Sequence, residues 1–405
     1  MIKIEDYASV VGQATIDELF ALARHLEGKD IQNINSTAVG GGVAEILTRM
    51  IPLLKELGVH ARWDVIKGNE KFFVTTKKFH NGLHGVPVEI SDEELEDFLE
   101  VNRENAKEMN FGDIVFVHDP QPIALIDVRE TLGRSWIWRC HIDFSRPVER
   151  VWEFLERYIK KYDTAVFSAP AFARRLPIKQ VLISPSIDPL SDKNKELSSD
   201  VVDEVFNRFG IDRSRPVITQ ISRFDYLKDP VGVIKAYRLA KKRVDMQLVL
   251  AGGGATDDPE GAIVMEQVQH EAEKDKDIFA LFLPPASDIE INALQRGSTV
   301  VLQKSLREGF GLTVSEALWK AKPVIAGAVG GIPLQISHKY SGILTHSIEG
   351  TAHAIKQLIN EPEYARKLGV NGKEHIKNNF LITRHIKDYL LLFISLFHKE
   401  DLVYL

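Results

Sequence analysis

At 405 residues the chain exceeds what one ordinary hydrophobic core holds, so two domains, or at most three, are expected. With 44% hydrophobic and 27% charged residues it is of globular composition, and its net charge of −6 excludes an overall basic field for nucleic acid or an anionic membrane. A single cysteine, Cys140, excludes an intrachain disulfide framework; with no basic and apolar leader at the N-terminus, a cytoplasmic protein is expected.

The first 30 residues read as helix, with Ile16, Leu19, Phe20 and Ala23 at helical spacing before Gly28. A strand over 31–36 runs into Gly40-Gly41-Gly42, and an amphipathic helix over 43–57, closed by Gly58, leads to a strand over 61–66. This is a parallel strand–loop–helix–strand unit whose glycines either form an anion site at a helix N-terminus or serve as a flexible turn. The spacing is not G-x-G-x-x-G, which argues against a nicotinamide dinucleotide enzyme.

An acidic helix start, Ser91-Asp92-Glu93-Glu94, opens a helix over 92–109. Strands over 113–117 and 135–139 then deliver His118-Asp119-Pro120-Gln121-Pro122 and Cys140-His141-Ile142-Asp143. Ligands of open parallel sheets bind beyond the carboxyl ends of strands, so His118, Asp119, Arg139, His141 and Asp143 are candidates by position, with a structural role for the histidines equally open. A helix over 147–162 and strands over 164–168 and 180–184 follow. The proline, serine and charge cluster over 184–194 is the best linker candidate.

From 216 to 326 strands and helices alternate strictly, the pattern of a second doubly wound parallel sheet, with three C-terminal helices after it. The apolar run over 389–397 in the last of these is too short for a membrane span, which takes roughly 20 residues. Four strand ends carry chemistry. After the first come Arg223 and Lys228, which together could hold a diphosphate, or could pair with Asp225 and Asp229 at the surface. The second ends in Gly252-Gly253-Gly254. The third gives Glu308-Gly309-Phe310-Gly311-Leu312 and, eight residues after Glu308, Glu316; two carboxylates so placed suit a polyhydroxylated ligand, although Thr313-x-x-Glu316 is also a legal capping box. The fourth ends in Gly327-Ala328-Val329-Gly330-Gly331, small residues fit to expose backbone amides.

Ser222-Arg223-Phe224-Asp225 with Lys228-Asp229-Pro230, Ala251-Gly252-Gly253-Gly254, the E-x7-E pair Glu308/Glu316 and Val329-Gly330-Gly331-Ile332 resemble the retaining glycosyltransferases of family 4. More closely, Asn35-Ser36-Thr37 with Gly40 to Glu45, the pair of histidine segments and Ser184-Pro185-Ser186-Ile187-Asp188-Pro189 are similar to the trehalose glycosyltransferring synthases. The resemblance implies an α/β GT-B fold of two doubly wound parallel-sheet (Rossmann-like) domains facing across a cleft. It places an acceptor-side domain at 1–184, with part of a C-terminal helix 383–405 packing back on it, and a donor domain at 185–382. It implies Arg223, Lys228, Glu308, His141 and Asp119 as catalytic residues, with Arg223 and Lys228 on the diphosphate, Glu308 on the donor sugar and Asp119 with His118 orienting the acceptor. It further implies Gly40, Gly41, Gly42, Gly253, Gly309, Phe310, Gly311, Leu312 and Glu316 as donor-binding residues, Glu316 at the ribose. The substrates implied are an ADP-, UDP- or GDP-glucose donor and free glucose, joined reversibly as α,α-trehalose. No cofactor is required; a divalent metal and a homodimer are compatible with the resemblance. Ser337-His338-Lys339-Tyr340-Ser341-Gly342 departs from the Asp-Gly turn frequent in the family. Alternatives are another sugar or sugar-phosphate acceptor, a nucleotide-sugar epimerase of the same architecture, and a catalytically silent sugar-nucleotide sensor.

Overall fold

The computed structural model describes residues 2–38, 41–253, 259–284 and 286–397; Gly40 and Gly254, singled out above, and the end of the predicted helix 383–405 lie outside the described residues. The chain divides into two compact units, Met1–Ser186 with Ile382–Leu405, and Ile187–Leu381.

The sheet of unit 1 comprises β1 (Asp30–Asn35), β2 (His60–Val65), β3 (Ile114–His118), β4 (Ser135–Cys140), β5 (Thr164–Phe167) and β6 (Lys179–Leu182) in the order β2-β1-β3-β4-β5-β6. Every neighbouring pair is parallel. Strands β3 and β5 are buried along their whole length, as parallel strands covered on both faces must be, whereas edge strand β6 exposes Lys179 and Leu182. The helix Asp92–Glu108 starts at a closed capping box, Ser91 Oγ accepting from the Glu94 amide and the Glu94 carboxylate from the Ser91 amide. A helix over Glu70–Leu83 was not anticipated from sequence, yet Phe72, Thr75, Thr76, Phe79 and Leu83 form its buried stripe, and Phe72 stacks on Phe98 with centroids 5.6 Å apart. The C-terminal helix Ile382–Phe397 buries its apolar run in this unit, setting Tyr389 and Phe393 against Phe116 at 5.0 and 5.7 Å. None of the described helices is long and apolar enough to cross a membrane.

Unit 2 carries β7 (Val217–Ile221), β8 (Gln247–Gly252), β9 (Ile278–Phe282), β10 (Val300–Gln303), β11 (Val324–Gly327) and β12 (Ile343–Thr345), ordered β12-β11-β10-β7-β8-β9 and again all parallel. Strand β12 was missed because three residues carry no readable alternation. One core layer brings Val233, Ile234 and Tyr237 of the helix Pro230–Lys241 onto Leu248 and Leu250 of β8 and Val300 and Leu302 of β10. The predicted linker is not loose. Asp188, Ser191 and Asn194 are buried; Asn194 Nδ2 donates to the Asp188 carbonyl, and the Asn292 amide donates to that of Asp192. Its polar residues are there to satisfy the packed backbone of a turn.

Each sheet has one place where the chain reverses its direction of growth: between β1 and β3 in unit 1, and between β7 and β10 in unit 2. Loops after such strands diverge and leave a crevice at their carboxyl ends.

Candidate active site

Lys228 and Glu308 follow β7 and β10, the two strands at the reversal of unit 2. Asp225 accepts from the Lys228 amide at 3.1 Å, starting a short helical turn over Tyr226–Lys228, and Asp229 accepts from the Gly232 amide at 3.0 Å to cap the next helix. The two aspartates therefore shape backbone, and Lys228 Nζ reaches Glu308 Oε2 at 2.6 Å. The alternative surface ion-pair set forms only in part: Arg223 lies 3.4 Å from Asp225 and is otherwise exposed, while Asp229 is taken by Lys304.

Glu308 is held from behind as well. Thr313 Oγ1 donates to Gln303 Oε1 at 3.0 Å, Gln303 Nε2 to Ser305 Oγ at 3.0 Å, and Ser305 Oγ to Glu308 Oε2 at 3.1 Å. Buried Gln220 ties the two loops together, its Nε2 donating to the Lys228 carbonyl at 3.0 Å and its Oε1 accepting from the Lys304 amide at 2.9 Å. Gln220, Gln303, Lys304 and Ser305 were not found from sequence; the signal was buried amide and hydroxyl side chains at strand ends, which an apolar-periodicity reading passes over.

The capping box at Glu316 does not form. Gly311, at φ +83°, is the N-cap of the helix Leu312–Trp319, which places Thr313 inside the helix, where its hydroxyl serves Gln303. Glu316 is buried with Oε1 3.9 Å from Lys193 Nζ, and Lys320 Nζ donates to the Glu316 carbonyl at 3.1 Å and to Asn194 Oδ1 at 2.9 Å. Burial pushes the Lys320 ammonium down to about 7, against the opposing pull of Glu316.

Gly311 and Leu312 open this helix, and Gly253 leaves β8 with open space but for the Leu283 carbonyl. Phe310 is not presented outward; it is buried against Phe380 at 5.4 Å. The pair Gly330-Gly331 does not offer its second amide to a ligand, because Gly331 N donates to the Gly309 carbonyl at 3.1 Å. These glycines let two loops touch: a Cβ on Gly330 would sit 1.6 Å from the Glu308 carbonyl oxygen, and one on Gly252 1.8 Å from that of Ser222.

In unit 1, Gly41 and Gly42 form the first turn of the helix Gly41–Glu56, where amide groups lack partners within the helix. Asp119 and His141 are brought together beyond β3 and β4: Asp119 adopts a left-handed φ of +64°, and its Oδ1 accepts from the His141 amide at 2.8 Å. Burial pushes the Asp119 carboxyl up to about 6, against that hydrogen bond and the charge of Arg139. His118 cannot orient a ligand directly, since both its ring nitrogens are engaged, with His141 at 3.2 Å and Asn33 at 3.0 Å. Arg139 is wholly buried, donating to the Ile183 carbonyl at 2.9 Å with its guanidinium over the Tyr389 ring, and Asp143 accepts from the Ser145 amide at 3.0 Å. Both are interior groups.

Burial drives His118 down to about 3 and His141 and His385 well below the usual histidine range, each helped by the charge of Arg139. The rings stay neutral in the folded chain and take up protons on unfolding below about pH 6.5, so stability is full above that value and lost as pH falls, for His118 until about pH 3. Asp119 acts oppositely between about pH 6 and its usual 3.8, one group against three. At about 1.4 kcal/mol per pH unit per ring, acidification from pH 7 to pH 5 is expected to lower the melting temperature of unit 1 by about 10 °C. Calorimetry at the two pH values checks this, and an unchanged transition would show the rings to be protonated or solvated.

Residues 33–174 match the family described as "Trehalose synthase, N-terminal domain", and residues 201–375 the family "Glycosyl transferases group 1". The chain is 44% identical to a trehalose synthase of Pyrococcus horikoshii over 96% of this chain and 95% of that one. It is 45% identical to a trehalose synthase of Rubrobacter xylanophilus, covering 97% of each. Among solved structures, a sucrose-phosphate synthase of Thermosynechococcus elongatus superposes with a TM-score of 0.72 at 18% identity, over 92% of this chain and 100% of that one, a likeness of fold.

Proposed function

The chain belongs to the trehalose synthase family of glycosyltransferases, and from that premise we propose that it transfers glucose, with retention, from a nucleoside-diphosphate-glucose to free glucose, giving α,α-trehalose in a reversible reaction. The observation that carries the reading is the Lys228–Glu308 pair at the strand reversal of unit 2. A cation and a carboxylate fixed together suit a donor whose diphosphate is anionic and whose sugar presents hydroxyls.

The bond from the anomeric carbon to the diphosphate oxygen breaks, leaving negative charge on the diphosphate and positive charge on the ring. Lys228, Arg223 and the first-turn amides at Gly41 and Gly42 stabilise the departing charge, and one such donor contributes about 3 kcal/mol at the transition state. The acceptor hydroxyl forms its bond to the anomeric carbon on the face the diphosphate leaves, and its proton passes to a diphosphate oxygen. No carboxylate then acts as a covalent nucleophile. Glu308 accepts from donor-sugar hydroxyls, Glu316 from the ribose, His141 addresses the sugar and Asp119 the acceptor. Arg223 and Lys228 meet the diphosphate charge without calling on a metal.

Incubation with ADP-, UDP- or GDP-glucose plus glucose is expected to give α,α-trehalose, identified by NMR, with release of the nucleoside diphosphate. Consumption of donor without acceptor would favour an epimerase, trehalose from maltose alone an isomerising enzyme, and donor binding without any product a sensor.

A further inference from the structure

We propose that Asn33, on β1, is a positioning residue that acts through His118 to fix His141 as its Nε2–H tautomer, so that the Nδ1 lone pair of His141 faces substrate and accepts from a sugar hydroxyl. The inference builds on the assignment of His141 to the sugar in the proposed reaction, and adds which atom of the ring does the work and what sets it.

Asn33 is buried in the strand next to β3, and its Nδ2 lies 3.5 Å from the Arg62 carbonyl, so its Oδ1 faces His118 Nε2 at 3.0 Å. The reverse amide orientation would set Oδ1 against the Arg62 carbonyl, acceptor against acceptor. An amide oxygen only accepts, so His118 Nε2 carries the proton. Doubly protonating His118 would bury a cation near Arg139, and its pKa is driven down to about 3. The ring is thus neutral, its Nδ1 has only a lone pair, and the 3.2 Å contact to His141 requires that His141 Nε2 be the donor. His141 is itself kept neutral by burial, Arg139 and His118, which leaves Nδ1 unprotonated. Among the described residues no protein group bonds that atom, while Asp119 holds the His141 backbone amide at 2.8 Å and so fixes where the ring hangs. Stacking of the two imidazoles, centroids 5.5 Å apart at 24°, keeps the ring planes aligned. Metal-free enzymes and metal sites share this logic: the tautomer of a working histidine is set by the bond its other nitrogen makes.

The direct test is nitrogen NMR of the histidine rings in the full-length protein labelled with 15N-histidine, at pH 7. His141 is expected to show a protonated Nε2 and a bare Nδ1, and His118 likewise; a protonated Nδ1 on His141 would overturn the proposal irrespective of catalysis. Asn33→Leu is expected to mix the tautomers of both rings and to lower kcat tenfold or more with the donor KM changed less than twofold. His118→Asn, whose side-chain oxygen can replace the Nδ1 acceptor, is expected to keep the His141 tautomer and most of the activity, whereas His118→Leu loses both. Should Asn33→Leu fold and retain wild-type kcat, or should His118→Asn be as inactive as His118→Leu with an intact fold, the relay is refuted. If no disaccharide forms in wild-type protein while the tautomers are as stated, the proposed reaction fails and the relay stands.

Discussion

Replacing Lys228 by alanine is expected to lower kcat about a hundred- to a thousandfold, with a stability loss of only about 2 kcal/mol. Lys228 is the one cation that the described part of unit 2 holds on Glu308, at 2.6 Å and largely buried, so it is already ordered before a diphosphate arrives. A preorganised charge requires no reorganisation at the transition state, which is why its removal weighs on turnover. Removing it also leaves Glu308 with Ser305 as its remaining partner, a buried carboxylate short of a counter-charge. The double variant Lys228→Met with Glu308→Gln separates the two effects, because it removes both charges together. A melting temperature restored with turnover still absent is the expected result; recovery of both would reduce the pair to a structural ion pair.

Gly330→Ala is expected to abolish most activity, on the order of a hundredfold, although no ligand atom is assigned to Gly330. At φ +55° the residue occupies the left-handed region, and an added Cβ would stand 1.6 Å from the Glu308 carbonyl oxygen. Backbone, not a flexible side chain, is in the way, so the loop carrying Glu308 must move, and a displacement of about 1 Å at a reacting group costs that order of rate. Gly210→Ala is the control: it has φ +69° with nothing within 4 Å, so it carries the strain of about 1–2 kcal/mol without the collision. Comparable kcat losses in both variants would show that backbone strain alone, and not displacement of Glu308, is responsible.

Much of this was legible in the chain. Two lengths of strand and helix alternation gave two parallel sheets, since strands buried on both faces are mostly apolar and the helices between them are amphipathic. Glu308, Lys228 and Arg223 could be singled out because charged residues directly after apolar strands are placed by topology beyond the sheet. The helix Glu70–Leu83 escaped although Phe72, Phe79 and Leu83 recur at helical spacing, because threonine and lysine between them mask the stripe.

The sequence by itself determined the alternation, the strand ends and the chemical character of what stands there. Only the tertiary structure decided which of those groups meet. Lys228 has Asp229 beside it in the chain and takes Glu308 instead, 80 residues away, since Asp229 is spent on a helix cap and on Lys304. Thr313 could have capped for Glu316 and serves Gln303, and His118 stands at a strand end like His141 yet is turned inward to Asn33. Lys228 and His118 find their partners after or on a neighbouring strand, and Thr313 finds its own on β10, the strand that precedes its helix. Strand order, which fixes those neighbours, depends on contacts distant in sequence and has no local signature.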